Sequence, residues 1–365
     1  MKYIDEYRSK KLAQKLGAKI KAISGKSQIN IMEVCGTHTQ AFFRFGLDKM
    51  LPKNIRLIAG PGCPVCVSPQ EYIDSAINLA KDSKNLILTF GDMLRIPGTS
   101  SSLEKQKVNF NNIRVVYSCW DSLKIARDNP EKNVIFLAVG FETTIPTVAL
   151  TIIAAKKEKL KNLFFLASLK LIPAAMRYLV RDKRLKLKGF LCPGHVSAVI
   201  GTKPYEFLAK EYKISCCVAG FEPLDILEGI YFLVRQIVKN KPRVENQYSR
   251  IVKNQGNLQA IKIMKKVFQP SDANWRGLGK IPHSGLKIRK EFSAFDAENI
   301  FSIRQVTGDR GQGTKCKCGD ILKGLVLPPA CKMFAKSCNP EHPIGPCMVS
   351  YEGACSAYFK YKRQR

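Results

Sequence analysis

The chain is short of acid. Its 365 residues hold 29 Asp and Glu against 60 Lys and Arg, a formal net charge of +31. A surplus of that size invites a nucleic-acid reading. The lysines, however, are spread along the chain (Lys156, Lys157, Lys159, Lys161; Lys183, Lys186, Lys188; Lys262, Lys265, Lys266), and no zinc-finger, RRM or KH pattern accompanies them. No nucleic-acid partner is therefore expected. An apolar leader is missing too. The chain opens MKYIDEYRSKKLAQKLGAKIK, charged throughout, so a reducing cytoplasm is the expected compartment. A membrane partner is not expected either. Residues 134–155 (VIFLAVGFETTIPTVALTIIAA) carry a single charge, Glu142, but Gly140 and Pro146 interrupt them, so they read as strand, loop and helix. There is no exact internal repeat.

What is present is globular: 45% hydrophobic and 24% charged residues, on a length that suggests two or three domains. Short apolar runs alternate with helical patterns. The runs 30–34, 56–59, 86–90, 114–117, 134–139, 163–167, 189–191 and 214–219 suit strands buried on both faces. Leu12, Leu16, Ile20 and Ile23 mark an N-terminal basic helix, and Ile226, Leu227, Ile230, Leu233, Val234 and Ile237 another helix. In Ser68-Pro69-Gln70-Glu71, Ser68 reads as a helix N-cap, with Pro69 at the first position and Glu71 closing a capping box. The alternation predicts an α/β fold with parallel sheets. The expected division is a basic helix over 1–29, α/β domains over 30–128 and 129–240, and linker helices with a small Cys-rich domain over 241–365. The polar stretch 241–256 is linker-like, and the β runs fade after about residue 240.

Thirteen cysteines in a chain of this kind point to metal or redox chemistry. Cys35 follows a strand directly, with His38 three residues on, a spacing open to a nucleophile pair, a metal site or a plain buried thiol. Cys63 and Cys66 form a CxxC in the Gly/Pro loop GPGCPVC, just before a helix start. CxxC sets two sulfurs within reach of one metal or of each other, and a helix N-terminus would depress a thiol pKa there. Glu142, Thr143, Thr144 and His195 stand where predicted strands end and helices begin, where open α/β sheets place their sites, so they could face one crevice with Cys35, Cys63 and Cys66. Each alone reads as a cap or a satisfied loop residue; their shared placement at strand ends is what points to a site. Six cysteines then crowd into residues 316–355: Cys316, Cys318, Cys331, Cys338, Cys347 and Cys355. Zinc and an iron–sulfur cluster would each take four, and spacing does not say which four. The absence of paired CxxC knuckles weighs against a zinc ribbon. Cys119, Cys192, Cys216 and Cys217, in or beside strands, read as core.

Together the motifs MEVCGTHTQAFFRFGL (32–47), GPGCPVC (60–66), TFGDMLRIPG (89–98), VGFETT (139–144), PGHVSAVIG (193–201), GFEPLDIL (220–227), WRGLG (275–279) and the Cys-rich stretch 316–355 closely resemble the HypD hydrogenase maturation family, over nearly the whole chain. The resemblance implies two α/β domains and a C-terminal domain with a 4Fe-4S cluster. It implies a scaffold with redox activity that assembles the Fe(CN)2CO part of NiFe hydrogenase. Iron would be held by Cys35 together with the HypC chaperone, and cyanide would arrive from HypE as a thiocyanate. The large subunit of the hydrogenase would be the indirect destination. Cys63 and Cys66 would be redox-active or auxiliary iron thiols, and His38, Glu142, Thr143, Thr144 and His195 would line the cleft. Cys316, Cys331, Cys338 and Cys355 would hold the cluster, leaving Cys318 and Cys347 as a dithiol/disulfide pair, similar to ferredoxin:thioredoxin reductase. A stand-alone iron–sulfur thiol–disulfide oxidoreductase is the competing reading. Leu169, where the family often carries His, and Cys119-Trp120 depart from the pattern.

Overall fold

The computed structural model describes residues 5–303 and 316–362; residues 1–4 of the expected N-terminal segment, and 304–315 and 363–365 of the expected C-terminal domain, lie outside the described residues. All eight apolar runs are strands: β1 Ile29–Glu33, β2 Ile55–Ala59, β3 Asn85–Thr89, β4 Ile113–Val115, β5 Asn133–Gly140, β6 Leu163–Lys170, β7 Leu187–Pro193 and β8 Ser215–Ala219. Three more follow: β9 Val244–Asn246, β10 Phe268–Trp275 and β11 Gly279–Ile288. Continuous burial along β3 and β8 fits strands covered on both faces.

The strands form two sheets, in the order β2-β1-β7-β8-β9 and β10-β11-β6-β5-β3-β4. The first is parallel throughout; the second is parallel from β6 to β4, with β11 antiparallel to both β6 and β10. Each sheet draws strands from both sides of residue 129: β1 pairs with β7 in the first, and β3 pairs with β5 in the second. The hairpin β10–β11 lies where the apolar runs fade. Its burial is intermittent, and Pro270 is tolerated because β10 is an edge strand. The stretch read as a linker holds β9.

The helix Lys10–Ile23 turns Ala13, Gly17 and Ile20 inward and leaves Leu12 exposed, so its buried stripe is offset from the expected one. The helix after the CxxC spans Gln70–Ala80 with Pro69 at its N-cap and no capping side chain. Ser68 is not the cap: its hydroxyl donates to the Pro64 carbonyl at 3.0 Å, inside the preceding turn. The largest buried cluster joins the two sheets through Met32, Ile58 and Phe190 on one side and Ile87, Ile135 and Leu166 on the other. Cys318, Cys331, Cys338, Cys347 and Cys355 belong to that same cluster, so the Cys-rich segment packs into the body of the protein. Among the described residues no helix is long and apolar enough to cross a membrane.

Candidate functional site

The carboxyl ends of β1, β2, β7 and β8 gather Cys35, the 60–66 loop, His195 and Gly220–Glu222. Cys35 leaves β1 in an extended conformation and is the N-cap of the helix Gly36–Arg44. The CxxC loop lies directly on it. Gly36 N donates to the Gly62 carbonyl at 3.1 Å, and Gly60 N to the Glu33 carbonyl at 2.8 Å. A Cβ on Gly62 would overlap the backbone of Cys35, so only glycine permits this approach. A third segment closes the group. Thr37 Oγ1 donates to Glu352 Oε1 at 2.8 Å, Gln40 Nε2 donates to the Tyr351 carbonyl, and Gly36 abuts Glu352 too closely for a side chain. Motif residues more than 300 positions apart thus surround one thiol.

Burial pushes the Cys35 thiol up to about 12, and the Glu352 carboxylate adds to the rise. The backbone N–H groups of His38 and Thr37 and the Thr37 hydroxyl act in the opposite direction. Cys35 is therefore a thiol in the absence of a cation, and a metal beside it would supply the charge that deprotonates it. Burial also raises Glu352, and Asp92, reaching over from the end of β3 in the other sheet, adds to that shift.

Cys63 and Cys66 are joined as a disulfide. A depressed thiol pKa, expected at this helix start, does not apply to the joined sulfurs. Cys66 Sγ lies 3.6 Å from the carbonyl oxygen of Pro346, the residue before Cys347. Cys347 Sγ in turn lies 2.9 Å from Cys318 Sγ. Cys35, the CxxC and the Cys318/Cys347 pair are consecutive neighbours.

All six C-terminal cysteines line one narrow cavity with Ile321, Phe334 and Met348. Burial pushes the Cys316 thiol up to about 12 and Cys355 well above its usual range, and the neighbouring cysteines of the cavity add to both shifts. Such a set is stable as thiolates only around a strong positive charge. Among the described residues no three His, Cys, Asp or Glu side chains converge as a single-ion site. An iron–sulfur cluster takes one thiolate per iron and needs its sulfurs wider apart than a single zinc does. Six cysteines around one cavity offer the four thiolates that such a cluster takes.

His38 is fully buried. Its Nε2–H donates to the carbonyls of Ala219 (3.2 Å) and Gly220 (2.9 Å), which places the proton on Nε2 and leaves Nδ1 without a partner among the described residues. Burial lowers its pKa to about 4, so the ring is neutral. What His38 offers Cys35 is its backbone N–H; its ring packs on Phe221, whose ring centroid is 4.8 Å away. His195, also lowered by burial, stacks on the same Phe221 at 4.0 Å.

Glu142, Thr143 and Thr144 are elsewhere, beyond β5 in the second sheet. Glu142 Oε1 accepts the Ile172 N–H at 3.0 Å and so caps the helix Ile172–Leu179; burial raises its pKa to about 8. Thr144 is the N-cap of Ile145–Lys157 and packs on Gly140. Among the described residues no hydrogen bond or ion pair ties these three to the Cys35 group. Leu169 is buried in the core of the second sheet, and Cys119, Cys192, Cys216 and Cys217 are buried as expected. Glu352 and Arg276 were not singled out by the sequence reading. Both stand inside quoted motifs, between Cys347 and Cys355 and in WRGLG, as charged residues flanked by glycine. That is the signal that could have found them.

A family model named HypD, described as the hydrogenase formation hypA family, matches residues 10–362. The chain is 44% identical to hydrogenase maturation factor HypD2 of Bradyrhizobium diazoefficiens over 374 aligned residues, covering 100% of this chain and 98% of that one. It is 43% identical to HypD of Cupriavidus necator, over 100% of this chain and 98% of the relative. With HypD of Escherichia coli K12 it shares 41% identity, over 100% and 99% of the two chains. On these matches, the chain belongs to the HypD family of hydrogenase maturation factors.

Proposed function

We propose that the chain is a cytoplasmic scaffold on which the Fe(CN)2CO unit of NiFe hydrogenase is built, working with a HypC-type chaperone and receiving cyanide from HypE. Cys35 is the thiolate this chain contributes to the cargo iron. The observation that carries the reading is the adjacency of Cys35, Cys63–Cys66 and Cys318/Cys347 along one path. Thiolate is a soft ligand suited to iron carrying strong-field diatomics. The buried Cys35 is a poor thiolate alone, which favours its role as a metal-dependent ligand over that of a free nucleophile.

The second pair of sulfur sites accounts for the electrons. A thiolate attacking the sulfur of a thiocyanate forms a disulfide and releases cyanide. Returning that disulfide to two thiols takes two electrons, which thiol–disulfide exchange can pass from one pair to the next. The Cys63–Cys66 disulfide abuts Pro346, one residue from Cys347, which supports exchange between the two pairs. A 4Fe-4S cluster held by Cys316, Cys331, Cys338 and Cys355 would supply single electrons from a protein donor when bound. Thr37, Glu352 and the N–H groups of Thr37 and His38 orient and polarise Cys35, while the neutral His38 and His195 rings close one wall around Phe221.

The runner-up is a stand-alone oxidoreductase of ferredoxin:thioredoxin reductase type, favoured by the same neighbouring sulfur pairs. It has no use for a third thiol at Cys35. Cys35→Ala should abolish hydrogenase maturation in a strain relying on this protein, while leaving reduction of Cys63–Cys66 intact. Retained maturation would overturn the proposal.

A further inference from the structure

We infer that the cavity between β6 and the start of the helix Gln70–Ala80 binds a small organic anion of single charge, a carboxylate, through the Lys170 ammonium and the Ser168 hydroxyl.

Ser168 and Lys170 are two residues apart at the end of β6, so their side chains share one face, and both line the cavity. Tyr72 lines it from the helix and donates its hydroxyl to the Leu166 carbonyl at 2.9 Å. Lys170 is opposite Gly285 of β11, and Gly285 is opposite Ser271 of β10. Opposed residues of a sheet share a face, so the missing side chain of Gly285 leaves the floor open between Lys170 and Ser271. A Cβ on Gly285 would overlap Ala273 Cβ and stand 3.3 Å from Ser271 Oγ. The cavity holds about 340 Å³, at the small end of ligand pockets.

Lys170 is only 2% exposed. Its ammonium donates to Ser168 Oγ at 2.8 Å and lies 5.9 Å from the centre of the Trp275 ring. Among the described residues it has no carboxylate partner and no second acceptor. An ammonium carries three N–H donors, so two remain open. Ser168 Oγ accepts from Lys170, and its own O–H has no acceptor among the described residues. Three donors thus stand at the cavity wall with nothing to receive them. Burial in that state is costly, and an anion in the cavity would offset the cost. Burial lowers the Lys170 pKa to about 7, and a bound anion would hold the ammonium form.

The other charges around the cavity narrow the choice of anion. Glu71, Asp272, Asp296 and Glu298 line it, and none forms an ion pair with Lys170 among the described residues. Asp272 is engaged by Lys280 at 3.2 Å and by His283 N at 3.1 Å, and Asp296 by Glu298 N at 3.1 Å. Lys287, from β11, is the other cation. Carboxylates in that number disfavour a multiply charged guest such as a phosphate ester more than a single carboxylate. Ser271 and Asn274 line the same space and offer polar groups to a guest that also carries hydroxyls.

The test uses the full chain, purified anaerobically and freed of carboxylate buffers. It is titrated calorimetrically with acetate, lactate and glycerate, and with sulfate as the doubly charged comparison. Lactate or glycerate should bind, and should protect Lys170 from reductive methylation by formaldehyde and cyanoborohydride, mapped by mass spectrometry. Lys170→Met should weaken binding about 10–100-fold, and Ser168→Ala about three- to tenfold. Affinity should fall by about tenfold per pH unit above the Lys170 pKa near 7, as the ammonium is lost; Tyr72, raised by burial, stays neutral there. Should Lys170→Met not fold, Ser168→Ala and the protection of Lys170 in the unaltered chain decide the matter. The inference is overturned if none of the three carboxylates binds, or if one binds without protecting Lys170. It is equally overturned by unchanged affinity in Lys170→Met or Ser168→Ala, by affinity indifferent to rising pH, or by sulfate binding more tightly than all three.

Discussion

Replacing Gly62 by Ala probes the assembly of the site at its tightest point. A methyl at Gly62 would be built into Cys35 N, Cys35 Cα and the Val34 carbonyl carbon. All three are backbone atoms, so no rotamer change relieves the clash. The loop and the start of the helix Gly36–Arg44 must separate by roughly 1 Å to reach ordinary contact. Overpacking of this kind costs about 1–3 kcal/mol. The Gly36 N–H to Gly62 carbonyl bond, already 3.1 Å long, would be lost at about 1 kcal/mol more. The expected loss is therefore about 2–4 kcal/mol in anaerobic urea unfolding. Function should fall further than stability, because a displacement of about 1 Å at reacting groups can cost on the order of 100-fold in rate. Thiol–disulfide exchange between the Cys63–Cys66 and Cys318/Cys347 pairs, followed by trapping the mixed disulfide, reads that second effect. A variant within about 0.5 kcal/mol of the parent, exchanging at the parental rate, would refute the close-approach argument.

Further outcomes follow from burial and charge. His38 has a folded pKa of about 4, below its ordinary 6.5, so stability is full above pH 6.5 and is lost as pH falls towards 4. His38→Gln should flatten that acid limb in pH-dependent unfolding; an unaltered limb would contradict the burial account. Glu142 runs the other way. Its folded pKa of about 8 exceeds the ordinary 4.5, so the fold loses stability on the order of a few kcal/mol as pH rises through that window, and Glu142→Gln should remove the slope while keeping the acceptor for Ile172 N. Arg250→Ala strips the ion pair from the fully buried Asp225 at the start of the helix Pro223–Val238, and should cost about 3–5 kcal/mol in the same assay. Single Ser variants of Cys316, Cys331, Cys338 and Cys355 should each lose the broad iron–sulfur absorption of anaerobic protein, while Cys318→Ser and Cys347→Ser should keep it; the reverse pattern would redraw the division of the six.

The strands were readable because β3, β5, β6 and β8 are buried on both faces and appear as unbroken apolar runs. Their partners were not. Periodicity reports what a strand faces, not which strand lies beside it, so the insertion of β3–β6 between β2 and β7 left no mark in the local pattern. The hairpin β10–β11 escaped because an edge strand with Pro270, Ser271, Asp272 and Asn274 has little apolar content to show. The cysteine sites were legible from spacing at Cys63–Cys66 and from crowding in the tail. The convergence of Glu352 on the Cys35 helix start depends on a contact across more than 300 residues of sequence. Glu142 stands apart from Cys35 for a related reason: a strand-end position marks the edge of some sheet, and here there are two.

The central claim is that Cys35 holds the cargo iron. Its most direct test is infrared spectroscopy of the chain purified anaerobically with its small HypC-type chaperone, comparing the parent with Cys35→Ser. The parent complex should show the stretching bands of iron-bound cyanide and carbon monoxide, and the variant complex, still formed, should lack them. Bands of equal strength in the variant would place the iron on other ligands and contradict the account.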